Sequence, residues 1–371
     1  MIYFDNAATT FPKPGAVVNA VVASLRGDGN PGRGAHTAAM SAATRIYDCR
    51  KSAAKLFGAS PERVIFTSGA THSLNIAIGA ARLSDGAVLI SDLEHNSVLR
   101  PTTASGREVR IFKSYTELNG YERDEMILAD IERNADGAAV CITTAASNVC
   151  GASMPIGKIG KFCRDRGIFF IVDGAQAGGT HDIDIVRDCI DVLCLPAHKG
   201  LYAPMGCGMM ILGEDAHLPP LLFGGSGFDS RSTSMPEISP ERFEAGTLPT
   251  PLIAGLHAGI EFVLERTPAA ILAHEEELSR MLKDALADMR RVHVYAPHHG
   301  GSIVLFNVDG ITSEELAATL NAHGICTRAG LHCAPLAHDT LGTDGALRVS
   351  FGVGNTKKEV RSFIRTLEGI I

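Results

Sequence analysis

Short apolar runs, most of them followed by a small polar turn and a helical pattern, recur through the first half of the chain. They are Val64–Thr67, Ala87–Ser91, Glu108–Phe112, Ala138–Thr143, Ile168–Asp173, Ile190–Leu195 and Cys207–Leu212. Five apolar residues in a row, as in Ile168–Val172, read as a strand buried on both faces, as in the middle of a parallel sheet. Strands alternating with helical patterns predict a doubly wound α/β sheet with right-handed crossovers. The central run, Ile168-Phe-Phe-Ile-Val-Asp173-Gly-Ala-Gln176, ends in a carboxylate at the carboxyl edge, where such sheets bind ligands.

Ahead of the runs, Pro12 and Pro14 keep residues 1–14 extended. Helices are expected over about Gly15–Leu25 and Ala39–Phe57. The segment Gly27-Asp-Gly-Asn-Pro-Gly32 matches G-x-G-x-x-G by letter, but it follows a helix and contains Pro31. It therefore reads as a mobile loop carrying Arg33 and His36 rather than a dinucleotide site. A further apolar helix is expected from the Ser68 turn to Arg82.

From Pro251 the texture changes. A long helical stretch to Arg291, interrupted near Pro268, leads into strands at Gly301–Asn307 and Ala346–Phe351 that alternate with helices near Ser313–His323 and Thr356–Glu368. This predicts a smaller α+β domain of residues 251–371 with the 1–14 arm, beside a large domain of residues 15–250. A chain of 371 residues favours two domains on length alone.

Charge and cysteine usage narrow the function classes. A net charge of −7 argues against nucleic acid or anionic membrane as the main partner. No apolar run approaches a membrane span, and no signal peptide precedes Met1-Ile-Tyr-Phe. The nine cysteines are scattered without a C-x-x-C pair, which fits a reducing cytoplasm.

Several residues at the predicted strand ends could carry chemistry. Asp173 and, after the next run, His198-Lys199 form the acid-and-lysine arrangement that pyridoxal 5'-phosphate (PLP) requires: the lysine for the Schiff base, the acid for the pyridinium nitrogen. A surface lysine and a helix-capping aspartate are the competing reading. Ser68-Gly69-Ala70-Thr71-His72-Ser73 lies at a strand-to-helix turn, where backbone N–H groups and the helix dipole can hold a phosphate. A plain N-cap explains it equally. His95 could stack on a flat ring or move protons, and Asn148 could bond a ring oxygen. Cys333, in Arg328-Ala-Gly-Leu-His332-Cys333-Ala-Pro-Leu-Ala-His338, looks like a loop thiol whose basic surroundings raise its nucleophilicity. A metal site from His332, Cys333 and His338 competes, but the spacing is irregular, so no metal is expected. Arg348, inside an apolar strand, wants an anion such as a substrate carboxylate.

In order along the chain, Tyr3-Phe-Asp-Asn-Ala-Ala-Thr-Thr, Ser68-Gly-Ala-Thr71, Glu94-His95, Ser147-Asn148-Val, Val172-Asp173-Gly-Ala-Gln176, His198-Lys199, Phe243-Glu-Ala-Gly-Thr247, Arg328-Ala-Gly-x-His-Cys333 and Leu347-Arg348-Val-Ser resemble the class V aminotransferase-like PLP enzymes, and within them the cysteine desulfurases. The resemblance covers nearly the whole chain. It implies the fold type I architecture of PLP-dependent transferases, with a large domain built on a mostly parallel sheet and a smaller α+β domain.

Residue by residue, the resemblance implies that Lys199 is joined to PLP and that Asp173 pairs with the pyridinium nitrogen. Gln176 and Asn148 would contact the phenolic oxygen, and His95 would stack on the ring. Ala70, Thr71 and His198 would hold the phosphate, joined by Thr247 from the second subunit of a homodimer. Arg348, with Asn148 and Arg328, would bind the carboxylate of L-cysteine or of selenocysteine. Cys333 would take the sulfur as a persulfide, leaving L-alanine, and pass it to a separate acceptor protein, as in iron–sulfur cluster assembly. The short Cys333–Arg348 interval resembles the subgroup with a compact cysteine loop. An aminotransferase or β-lyase of the same group, which does not use the thiol, is the alternative.

The chain departs from the pattern in three places. Pro196 stands where relatives carry a phosphate-binding Ser or Thr, which is expected to weaken cofactor retention. His72 replaces a Glu, and the first motif begins at Tyr3, so the N-terminal extension of longer relatives is not expected here.

Overall fold

The structure is a computed structural model describing residues 1–32, 34–79, 85–229 and 231–371. Strand β1 (Ile2–Tyr3) precedes helices α1 (Gly15–Gly27) and α2 (Thr37–Phe57). The alternating part follows as β2 (Val64–Thr67), α3 (Ala70–Ile78), β3 (Ala87–Ser91), α4 (Asn96–Thr103), β4 (Val109–Phe112), α5 (Gly120–Asn134), β5 (Ala138–Thr144), α6 (Ile156–Arg166), β6 (Phe169–Asp173), β7 (Val192–Pro196) and β8 (Gly208–Leu212). After a largely irregular stretch come α7 (Thr250–Arg266), α8 (Pro268–Ala287), β9 (Val292–Tyr295), β10 (Ile303–Val308) and α9 (Ser313–Ala322). The chain then closes with β11 (Ile325–Cys326), β12 (Arg328–Gly330), α10 (Pro335–Leu341), β13 (Ala346–Ser350) and α11 (Lys357–Ile370).

The main sheet has the order β2-β8-β7-β6-β5-β3-β4. Its strands are parallel except β8, which runs antiparallel to both β2 and β7. Side chains alternate between two cores, as a strand period of two requires. Leu193 and Leu195 of β7 join Phe170 and Val172 of β6 on one face, while Val192, Cys194 and Ile171 join Val88 and Ile90 on the other. Burial on both faces is why these strands read as continuous apolar runs. β4 lies on one side of β3 and β5 on the other, so the winding direction reverses there. A reversal of this kind opens a crevice at the carboxyl ends of the strands.

A second, antiparallel sheet has the order β12-β13-β10-β9. The N-terminal arm is woven into its side of the molecule. β1 pairs parallel with β11, and Asp5 forms a β-bridge with Ser350 at the end of β13. Phe4 is fully buried, edge-on to Phe351 at 5.0 Å. Helices α9 and α11 each start in a capping box, Thr312 with Glu315 and Thr356 with Glu359.

One local expectation needs adjustment. His36 is not a loop residue: its Nδ1 accepts a hydrogen bond from Ala39 N–H and caps α2. Arg33 lies outside the described residues, as does the expected extension of α3 to Arg82. The helical stretch from Pro251 is interrupted near Pro268 as expected: α7 and α8 meet at Thr267, whose φ of 67° ends one helix and whose side chain caps the next. Pro268 fits the first turn of α8, where a missing N–H costs nothing.

Candidate active site

Between the carboxyl ends of β3, β5, β6 and β7 and the turn joining β12 to α10 lies a cleft of about 420 Å³. Asp173, Lys199, His95, Asn148 and Gln176 all line it, as do Ala70, Thr71 and His198. So do Arg328, Arg348 and Cys333, which come from far along the chain. Thr247 does not. It lines a separate cavity of about 920 Å³ that also contains Arg50 and Glu244.

Asp173 closes β6 and is 2% exposed, with Oδ1 accepting from Ala175 N–H at 3.0 Å. Burial pushes its pKa up, against the opposing pull of Lys199. A buried carboxylate in this state is stabilised by a cationic N–H beside it, which the pyridinium of PLP would supply. Lys199 follows β7, and the register Asp173↔Cys194 sets the two strand ends side by side. Burial brings the Lys199 pKa down to about 8; Asp173 opposes the shift, while Arg348 and Arg328 add to it. A lowered ammonium pKa leaves more free amine, the form that attacks an aldehyde.

His95 is the N-cap of α4. Its Nδ1 accepts from Ser97 N–H at 3.0 Å and faces Ser97 Oγ at 2.8 Å, leaving Nε2 for a ligand. Burial, aided by Lys199 and nearby arginines, lowers its pKa to about 4, so the ring is neutral at neutral pH. Gln176 donates from Nε2 to the Ala7 carbonyl at 3.0 Å, and Asn148 donates from Nδ2 to the His332 carbonyl at 2.8 Å. Each amide retains a second hydrogen.

The β2–α3 turn is shaped for an anion. Gly69 holds φ at 150°, a conformation open to glycine, and a Cβ built there meets nothing within 4 Å. It rests on Gly208 of β8, where an added Cβ would come within 2.5 Å of the Gly69 backbone. No side chain caps α3. Its first N–H groups therefore lack intrahelical partners and point out from the helix start. His72 accepts at Nδ1 from Ser68 N–H at 3.3 Å, which ties the turn to the helix and gives this departure from the family pattern a structural role. His198 contributes a buried Nδ1 with no partner among the described residues. Burial and the charges of Lys199 and Lys13 lower the His198 pKa to about 4. A phosphate would relieve all of these deficits, so the residues present fit PLP.

The thiol loop is held from the main sheet. His332 and Cys333 both take left-handed backbone angles, φ 52° and 57°, which cost energy for residues other than glycine. Two hydrogen bonds hold that geometry: Asn148 Nδ2 to the His332 carbonyl, and Asn96 N–H to the Cys333 carbonyl at 2.7 Å. Cys333 is exposed, whereas six of the other cysteines are buried and Cys189 and Cys326 are half-buried. Among the described residues no three His, Cys, Asp or Glu side chains are grouped to hold a metal ion. His332 and His338 instead face each other.

Arg348 is 2% exposed in β13. Nη1 donates to the Asn148 carbonyl at 2.8 Å and Nη2 to Asp5 Oδ1 at 2.9 Å, while Nε has no partner among the described residues. The anion expected for this strand arginine is therefore supplied in part by the chain itself. Asp5 and Glu94 carry no assigned role in the sequence reading, and His338 enters it only as a possible metal ligand. Asp5 sits in a motif of small polar residues, and nothing local marks its pairing with a residue 343 positions away. Glu94, fully buried, takes Thr144 N–H at 2.7 Å on Oε1 and is also bonded by Ser91.

Comparison with known proteins places this cleft in context. The family model for aminotransferase class-V matches residues 2–363. A protein of Pyrococcus abyssi named "Probable cysteine desulfurase" is 31% identical over 100% of this chain and 94% of its own length. A cysteine desulfurase of Haloferax volcanii is 30% identical over 99% of this chain and 89% of its own. In three dimensions, the apo cysteine desulfurase from Thermococcus onnurineus superimposes with a TM-score of 0.91 at 29% identity, covering 100% of this chain and 94% of that one. A match along almost the whole length, in sequence and in fold, shows that the chain belongs to the class V aminotransferase family of PLP enzymes and, within it, to the cysteine desulfurases.

Proposed function

We propose that this protein is a PLP-dependent cysteine desulfurase that takes sulfur from L-cysteine, or selenium from selenocysteine, onto Cys333 and leaves L-alanine. The observation that carries this reading is the meeting, in one cleft, of an exposed thiol with a lysine of lowered pKa and a buried aspartate. When bound, PLP supplies an electron sink that loosens the bond between the substrate's β-carbon and its sulfur.

The chain's residues do the rest. Lys199 would anchor the cofactor, and its Nζ would hold or return the substrate's Cα proton. Asp173 keeps the ring nitrogen protonated. Ala70, Thr71 and His198 grip the phosphate, and the neutral His95 ring stacks on the cofactor plane. Asn148 and Gln176 donate their free amide hydrogens to the ring oxygen. Arg348, with Arg328 and Asn148, orients the substrate carboxylate so that its sulfur faces Cys333. Cys333 Sγ attacks as thiolate, forming an S–S bond as the substrate's C–S bond breaks.

Thr247 contributes to the phosphate site from the partner subunit of a homodimer. Its position outside the cleft and the exposed Leu221, Phe223 and Ile238 on the same irregular stretch support that assembly. The cleft-bearing part (residues 15–250) and the part built on the second sheet (1–14 and 251–371) act as two domains. The persulfide passes to an acceptor protein in the cytoplasm, iron–sulfur cluster assembly being one destination. In keeping with this location, no helix among the described residues is long and apolar enough to cross a membrane.

The test is to incubate PLP-loaded protein with L-cysteine and measure alanine and sulfide. Wild type is expected to release both, and Cys333→Ala neither. A variant that processes cysteine as fast as wild type would make the protein a thiol-independent relative.

A further inference from the structure

Arg328 and Arg348 are cross-strand partners on β12 and β13, so two like charges stand directly opposite. Such pairs repel. A third residue intervenes: Asp5 Oδ1 lies 2.9 Å from Arg348 Nη2, and Oδ2 lies 3.9 Å from Arg328 Nη1. This carboxylate cannot drift. The Tyr3 hydroxyl donates to the Asp5 carbonyl at 3.2 Å, Phe4 N–H donates to Cys326 O at 2.9 Å, and Ala7 N–H donates to Ser350 Oγ at 2.9 Å. Phe4 is buried beneath it.

The charge count follows. Two guanidinium groups and one fixed carboxylate leave a single positive charge. Asp5 does not itself line the cleft, as Arg328 and Arg348 do; Lys199 and Asp173, the remaining Asp, Glu, Lys or Arg side chains that line it, are of opposite sign. The unpartnered Nε of Arg348 and the second hydrogens on Nη1 and Nη2 remain as donors for one more anion.

We infer that Asp5 is a specificity-determining residue that sets the carboxylate count of the amino acid accepted here to one, by occupying half of the arginine pair. This rests on the reading of Arg348 as the substrate-carboxylate site. A monocarboxylic amino acid makes the cluster neutral. A dicarboxylic one, its second carboxylate standing where the sulfur of cysteine would face Cys333, brings another negative charge into the cleft with no cation of this cluster left to meet it.

The test is to titrate the PLP-loaded protein with L-alanine and with L-aspartate, following the cofactor's absorbance so that no sulfur chemistry is needed. Asp5→Asn keeps the shape and removes the charge. It is expected to tighten L-aspartate roughly tenfold relative to L-alanine, the scale of one unit charge over several Å at intermediate dielectric. Arg328→Gln makes the opposite change and should shift the ratio against L-aspartate by a similar factor, so the inference stays testable if Asp5→Asn does not fold. An aspartate-to-alanine ratio unchanged in either variant, or both ligands weakened equally, would overturn it. Because neither titration depends on desulfuration, a protein that releases no alanine from cysteine would defeat the functional proposal and leave this result standing on its own.

Discussion

His332 and His338 lie nearly parallel, with ring centroids 5.3 Å apart and planes 15° from each other, and Nδ1 of His332 is 3.1 Å from Nε2 of His338. The surroundings decide which nitrogen carries the proton. His332 Nε2 faces the Arg328 carbonyl at 3.3 Å and must donate, so its Nδ1 accepts and His338 Nε2 donates. His338 Nδ1 is then bare, and it is buried without a partner among the described residues. Burial lowers both pKa values, to about 3 for His332, which keeps the pair neutral. The pair links helix α10 to the strained turn that presents Cys333.

Replacing His338 by Leu leaves His332 Nδ1 buried and unsatisfied, at a cost of about 1–3 kcal/mol. We expect kcat for sulfur release to fall roughly tenfold through misplacement of Cys333, with the cofactor absorbance and the KM for cysteine little changed. His338→Gln can still donate a hydrogen bond and should recover part of the loss. Equal losses in Leu and Gln variants would show that ring packing alone matters.

Glu94 carries a pH prediction. Its pKa is raised by burial from the usual carboxyl value of 4.5 to about 8. In the window between those values the unfolded chain releases the proton while the folded chain keeps it. The contribution is therefore fully present below 4.5 and is lost as pH rises towards about 8. Glu94→Gln stays neutral in both states and can still accept from Thr144 N–H. At neutral pH it should be more stable than wild type by about 1–3 kcal/mol. Denaturant midpoints for both proteins across the window check this, and parallel curves would contradict it.

Pro196 is buried at the end of β7 and lines the cleft, where it offers no hydroxyl to a phosphate. Pro196→Ser should slow cofactor loss about fivefold, the worth of one added hydrogen bond to a charged group in a partly wet site. Dialysis with absorbance readings measures it. Faster loss in the variant would mean that the rigidity of Pro196 matters more than the missing contact.

The sheet was legible because its inner strands are buried on both faces and end in turns of small or polar residues, whereas β4 at the edge leaves Ile111 exposed. Asp173 and Lys199 could be picked out because a charge closing such a run is out of place. The short strands β1, β9, β11 and β12 were not legible: with so few residues they have no periodicity of their own and form by pairing with distant partners. His36 as a cap is a local contact with Ala39, hidden because histidine is not among the usual N-cap residues, whereas the Asp5–Arg348 pair and the His332–His338 stack are made by folding. The spacing of His332 and His338 along the chain does not say whether two imidazoles will converge on an ion or on each other.

Thr247 supplies a prediction about assembly. In a homodimer it would reach the partner's phosphate site. Thr247→Ala should then loosen the cofactor severalfold without altering the sedimentation of the dimer, and dilution to monomers should loosen it in wild type too. Cofactor retention that is independent of protein concentration would count against a shared site.

The most direct measurement follows the sulfur. PLP-loaded protein, mixed with a single equivalent of L-cysteine, quenched with an alkylating agent and digested, should yield the Cys333 peptide heavier by one sulfur atom, with alanine formed in equal amount. Sulfur found on another cysteine, or alanine formed while the Cys333 peptide keeps its original mass, would contradict the account.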